Sequence, residues 1–214
     1  MDGAQQVLSI NLGQLREMPF AGTTITTGFF KEPVFGPVNA GPLGLEGDVQ
    51  ADLTVHGGLD KAVYAYPREH YNTWEALLGE SALPPGSFGE NLTTEGLTES
   101  QVFIGDVFRV GETLLQVTQP RSPCFKLQIR FGRPDAVALF VKQGRPGWYT
   151  SVLQGGLVRR NDRIELVERM QSIVSIADVW TYCFTRSATK DDLKQVASLD
   201  VLPSFWKERI FRAT

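Results

Sequence analysis

Short runs rich in β-branched and aromatic residues, each cut off by glycine or proline, set the strongest limit on what this chain folds into. Val7 to Leu12 partly alternates between apolar and polar. Thr23 to Phe30 is rich in threonine and aromatics. Val102 to Phe103, Val107 to Val110, Leu114 to Thr118 and Ile164 to Val167 follow, with Gly105-Asp106 and Gly111-Glu112 between them as tight turns. Many short strands joined by glycine-rich turns point to a mainly β fold, a barrel or a sandwich, because closure removes exposed sheet edges. With 21 glycines and 12 prolines in 214 residues, the chain has ample punctuation for such turns.

Helices interrupt this pattern in few places. Pro67 suits a first helical position, Tyr71, Trp74, Leu77 and Leu78 then fall on one face, and Gly79 is the stop. Pro134 to Gln143 is a second helix, with Gly144 after it. Beyond about residue 170 the strand signals end. Ser175 caps a helix through about Phe184. Thr189 and Asp192 have the spacing of a capping box opening Lys190 to Ala197, and Pro203 starts a third stretch to about Arg212. The chain thus divides into a β domain, 1–170, and a helical extension, 171–214. The extension is too short to fold alone, so it packs on the barrel or on another subunit. Trp180, Phe184, Phe205, Trp206 and Phe211 need covering. A homodimer would cover them, and so would the chain's own barrel.

The net charge of −3 gives no electrostatic reason to expect a nucleic-acid partner. No apolar run approaches the ~20 residues of a membrane span. The first residues lack a basic segment followed by an apolar core, so no signal peptide is expected. Two cysteines, Cys124 and Cys183, are too few for a disulfide framework or for an iron–sulfur cluster held by this chain alone. A reducing, cytoplasmic setting is the expectation.

Cys124 lies in Gln119-Pro120-Arg121-Ser122-Pro123-Cys124-Phe125-Lys126. Two prolines stiffen the loop, and Arg121 and Lys126 flank the thiol with charge that favours the thiolate, the form that attacks electrophiles or binds metals. A packed, inert thiol is the competing reading, and it suits Cys183 in its apolar helical run better. His56 precedes Gly57 and Gly58, whose backbone can approach a ligand or turn its N–H groups on an anion; a plain tight turn would look the same. Glu90 and Asn91 follow Gly89, where an amide can bind a ligand edge and a carboxylate can shuttle protons, or both can simply shape a turn. His70 sits in the first helix and reads as structural. A cysteine hydrolase would need a base beside Cys124, and only His56 qualifies. No zinc-site spacing is present.

Gly44 to Asp48, His56-Gly57-Gly58 with Asp60-Lys61-Ala62-Val63-Tyr64, Gly89-Glu90-Asn91-Leu92-Thr93, Gly105-Asp106 and Pro120-Arg121-Ser122-Pro123-Cys124 together resemble the ordered motif set of the MOSC domain, the C-terminal domain of molybdenum-cofactor sulfurase. The longer forms, Tyr66-Pro67-Arg68-Glu69-His70-Tyr71 and Gln119 through Leu127, are similar to a bacterial subgroup, the YiiM type. The resemblance runs from about residue 20 to 167 and extends more loosely to the helical tail. It implies a MOSC-type β-barrel with peripheral helices, and a molybdenum cofactor (molybdenum-pterin) with Cys124 as the metal ligand. It further implies reduction of N-hydroxylated compounds such as 6-hydroxylaminopurine, or alternatively a carrier of that cofactor or of sulfur as a Cys124 persulfide. Pyridoxal phosphate binding attaches to the family only in general terms. On this reading His56, Gly57, Gly58, Lys61, Asn91, Arg121 and Lys126 hold the cofactor, and Glu90 or His56 delivers protons to the small-molecule substrate. A separate flavin or iron–sulfur reductase supplies electrons.

Overall fold

The computed structural model describes residues 4–51 and 57–213. In chain order the strands are β1 (Gln6–Gly13), β2 (Arg16–Phe20), β3 (Thr23–Thr27), β4 (Lys31–Val34), β5 (Val38–Gly41), β6 (Gly44–Leu45), β7 (Val63–Pro67), β8 (Leu92–Glu95), β9 (Val107–Val110), β10 (Thr113–Pro120), β11 (Trp148–Gln154), β12 (Gly156–Val158) and β13 (Ile164–Glu168). The helices are α1 (Tyr71–Leu78), α2 (Lys126–Phe131), α3 (Ala136–Gln143), α4 (Ile176–Thr185), α5 (Lys190–Ser198) and α6 (Ser204–Ala213).

The main sheet runs in the order β13-β9-β10-β11-β7-β8-β1-β4. Every pairing in it is antiparallel except β7 with β8. Its two ends meet. Ile164 N–H donates to Gln5 C=O at 2.8 Å, Val7 N–H to Asp162 C=O at 2.9 Å and Asn161 N–H to Val7 C=O at 2.8 Å, so the first half of β1 borders the segment leading into β13. The second half of β1 pairs with β4 instead. The sheet therefore wraps into a barrel, as its short strands require. A three-stranded sheet, β12-β5-β6, and a hairpin, β2-β3, flank it. β7 sits in mid-sheet and all five of its residues are buried, as expected for a strand covered on both faces.

Most sequence-level expectations correspond to elements here, and the departures have local causes. Pro67 ends β7 with extended backbone rather than opening a helix; a 3₁₀ turn, residues 68–70, leads into α1. Gly79 and Gly144 do close α1 and α3 in the left-handed conformation that glycine adopts without steric cost. Val102 and Phe103 form no strand; Phe103 makes a single bridge to Ser175. Both capping boxes are present: Ser175 with Asp178 at α4 and Thr189 with Asp192 at α5. Several elements had no clear sequence signal: β2, β4, β5, β6, β7, β12, α2 and β11. α2 has six residues, too few to show helical periodicity, and Trp148 to Gln154 mixes apolar and polar residues without alternation.

The helical extension is covered by its own chain. A chain of rings runs from the barrel into it: Tyr66 stacks on Phe88 at 4.4 Å, Phe88 meets Trp74 at 5.3 Å, Trp74 reaches Phe140 at 6.1 Å, Phe140 meets Trp180 at 5.9 Å and Trp180 meets Trp206 at 6.5 Å. Trp180 and Trp206 are buried, while Phe205 and Phe211 stay exposed. Trp206 also donates through Nε1 to Gln119 Oε1 at 3.0 Å, joining α6 to the end of β10. Trp206→Ala removes this fully buried ring and is expected to cost about 3–5 kcal/mol, whereas Trp206→Phe, which keeps one ring but loses the hydrogen bond and part of the packing, costs less, about 1–3 kcal/mol. Urea unfolding midpoints of the two variants against the native chain measure the difference.

Candidate functional site

A cavity of about 630 Å3 opens where the loop after β10 faces the segment before β7. Cys124, Arg121 and Lys126 enter it from the loop and the start of α2. Gly57 and Lys61 line it from the opposite segment, and Asn91 from the start of β8. Of the residues singled out from sequence, these six share one space. Gly58 lines a smaller adjoining recess of about 220 Å3. His56 lies outside the described residues. Glu90 is not in the lining: its carboxylate accepts from Gly86 N–H at 2.7 Å, Phe88 N–H at 3.0 Å, Thr93 Oγ1 at 2.8 Å and the Tyr71 hydroxyl, so it braces the loop before β8.

Asn91 faces the cavity with its amide already engaged. Its Oδ1 accepts from Tyr64 N–H at 3.1 Å, and its Nδ2 donates to Asp48 Oδ2 at 2.9 Å and more weakly to Asn11 C=O at 3.5 Å. Asp48 in turn accepts from Gly13 N–H at 2.7 Å and is paired with Lys31. Both ions are buried, so each depends on the other and on these hydrogen bonds. Burial pulls the Lys31 ammonium below its ordinary value, and Asp48 opposes that pull. Gly89 permits one wall to form. With φ at +77°, a Cβ there would lie 2.9 Å from the Phe29 ring.

Arg121 is the most unusual group present. It is 4% exposed, yet among the described residues no carboxylate pairs with it, and its Nη1 has no hydrogen-bond partner. The guanidinium instead sits among rings, 5.3 Å from the centres of Phe29 and Tyr64 and 5.2 Å from Phe140. Aromatic faces attract a cation but do not neutralise it. Burial opposes its charge, while the Tyr64 and Tyr149 phenols and the Cys124 sulfur favour it, and the balance holds it above its ordinary value. Lys31, Lys61 and Lys126 line the same cavity, and no Asp or Glu does so among the described residues. Four of the chain's 21 Lys and Arg side chains thus line one concavity; Lys31 is paired with Asp48, and the other three leave the lining positive, as an anion site requires.

Sequence reasoning missed Lys31, Tyr149 and Phe205, which also line the cavity. They come from β4, β11 and α6, and only the closed fold brings them to the loop. Burial raises the Tyr149 phenol, against the pull of Arg121, so it keeps its proton at neutral pH.

Cys124 is half-buried and opens on the cavity; neither it nor Cys183 is in a disulfide. Burial pushes the Cys183 thiol up to about 12, with Arg209 opposing. Among the described residues no three His, Cys, Asp or Glu side chains gather as a metal site, so Cys124 offers a single soft ligand. In the native protein at pH 8, iodoacetamide is expected to alkylate Cys124 and spare Cys183, because the thiolate is the reactive form. Peptide mass mapping reads this out, and Cys124→Ser leaves the native chain unlabelled.

The sequence profile of the MOSC domain matches residues 52–165. An uncharacterised Bacillus subtilis (strain 168) protein, YflK, is 45% identical over 170 residues, 79% of this chain and 76% of its own length. A Gibberella moniliformis (strain M3125 / FGSC 7600) protein named as a reductase is 33% identical over 213 residues, covering 95% of this chain but only 37% of that protein. The crystal structure of YiiM from Geobacillus stearothermophilus superposes with a TM-score of 0.81 at 34% identity, over 98% of both chains.

Proposed function

The chain belongs to the MOSC family, and on that premise we propose that it is a molybdenum-cofactor-dependent reductase of N-hydroxylated compounds, with Cys124 as the metal ligand. The observation that carries this reading is the buried Arg121 with its unpartnered Nη1, beside a thiol, in a cavity whose described lining holds cations and no carboxylate. Those residues fit the group. A pterin phosphate would meet Arg121, whose fork can bind it bidentately, together with Lys126. The Cys124 thiolate would supply the soft sulfur donor. When bound, the cofactor supplies the two-electron redox chemistry.

The overall change is R–NH–OH plus two electrons and two protons giving R–NH2 and water. Protons must come from groups that face the cavity. Glu90 does not, and His56 lies outside the described residues. Tyr149 does face it, held protonated by burial, and Lys61 stands on the same cavity. The electrons come from a separate flavin or iron–sulfur reductase. The Gibberella protein named as a reductase carries a region similar to nearly all of this chain within a much longer one.

The test is expression in a host that makes the cofactor, elemental analysis, and turnover of 6-hydroxylaminopurine with a chemical or enzymatic reductant. Molybdenum in stoichiometric amount and conversion to the amine are expected. Metal-free protein that remains active would overturn the reading, and bound molybdenum without turnover would leave the chain a carrier. Arg121→Gln removes the charge and the guanidinium fork, shortening the side chain by two bonds while keeping it polar. It is expected to lower molybdenum content at least tenfold at limiting cofactor, since a charge-assisted bidentate contact is worth about 1.5–3 kcal/mol.

A further inference from the structure

We propose that Phe205, carried by the helical extension, is the substrate-recognition face of the cavity, a platform on which a planar heteroaromatic N-hydroxylated substrate stacks. The assignment rests on the reductase reading above and adds a residue outside the 52–165 segment that defines the family.

Phe205 stands in the first turn of α6 and is 54% exposed. An apolar ring left open to water normally has nothing to do with a site. This one lines both the main cavity and the adjoining recess. Its position is also fixed. Its ring meets the neighbouring Trp206 edge-on, with centroids 5.7 Å apart at 82°. Trp206 is fully buried and bonded to Gln119 Oε1, and Gln119 Nε2 donates to Asp60 C=O at 3.2 Å. The extension, the end of β10 and the segment before β7 are therefore tied together through Trp206, the residue that follows Phe205. A rigid, half-open aromatic face is what a stacking platform requires, because little order is lost when a ligand settles on it.

The shape of the ligand follows from the walls. Phe29, Tyr64, Phe125, Tyr149 and Phe205 all line the cavity, so flat rings are favoured over branched or chain-like ligands. Polarity follows from Lys61, which shares both spaces with Phe205 and offers donors to a ring nitrogen. Depth separates the two ligands of the site. Arg121 and Lys126 are 4% and 8% exposed and take the anionic cofactor, whereas Phe205 stands at the open rim where a substrate arrives.

The test uses the molybdenum-loaded protein. Phe205→Ala is expected to raise KM for 6-hydroxylaminopurine about tenfold, the loss typical of one base–aromatic stack, with kcat and molybdenum content unchanged. Reduction of N-methylhydroxylamine, which has no ring to stack, is expected to be unaffected, and Phe205→Tyr is expected to restore the purine KM. Equal losses on both substrates, no change on either, or loss of molybdenum would overturn the proposal. Calorimetric binding of adenine, the amine product, needs no turnover and separates the two levels of inference. If the wild type reduces nothing but binds adenine in a Phe205-dependent way, the reductase reading fails and the platform stands. Adenine binding indifferent to Phe205→Ala sinks the platform alone.

Discussion

One amide holds the working end of this barrel together. Asn91 ties β7 through Tyr64, β1 through Asn11 and the Lys31–Asp48 pair through Asp48. A buried ion pair survives only when its remaining donors and acceptors are satisfied, and here Asn91 and the Gly13 N–H complete that set for Asp48. Among the described residues the one parallel pairing of the main sheet, β7 with β8, begins beside this point, with Ala65 opposite Leu92. The cavity wall is therefore built from groups whose hydrogen bonds are spoken for. Ligand chemistry falls to the loop after β10.

Arg121 is the counterpart to that fully engaged wall. Folding has carried a guanidinium out of water without giving it a described carboxylate, and the rings around it offset the cost only in part. Such a group weakens the empty protein and strengthens the loaded one. The same residues make the cavity a poor home for a cationic ligand and a good one for phosphate. In a chain of net charge −3, this local positive charge favours an anion in the cavity over the rest of the surface.

Much of this was legible in the residues themselves, where the governing interaction is local. Capping boxes at Ser175 and Thr189 and left-handed glycines at 79 and 144 act within one turn, and each marked a helix end correctly. The alternation of Val7 to Leu12 and the runs after Gly105 gave strands in place. β11 carried no such signal, because its pairing with β10 and β7 decides its conformation. The same division holds at the site. Cys124, Arg121 and Lys126 lie within six residues and could be read as a unit. Tyr149 and Phe205 are brought there by the closed sheet and the docked extension. Glu90 shows the converse: a carboxylate next to the site residue Asn91 points the other way, into Gly86, Phe88 and Tyr71.

Closure of the sheet has a consequence in time. The N–H of Val7 bonds to Asp162, and its carbonyl accepts from Asn161. During synthesis β1 leaves the ribosome early, but its partner segment follows more than 150 residues later. β4 and β8 can pair with β1 well before then, but the edge of its first half stays open until the longest loop closure in the barrel is made. Nascent chains halted before residue 160 should therefore be the ones that aggregate or hold a chaperone. Release from that hazard comes in a single late step, when the last strand returns to the first.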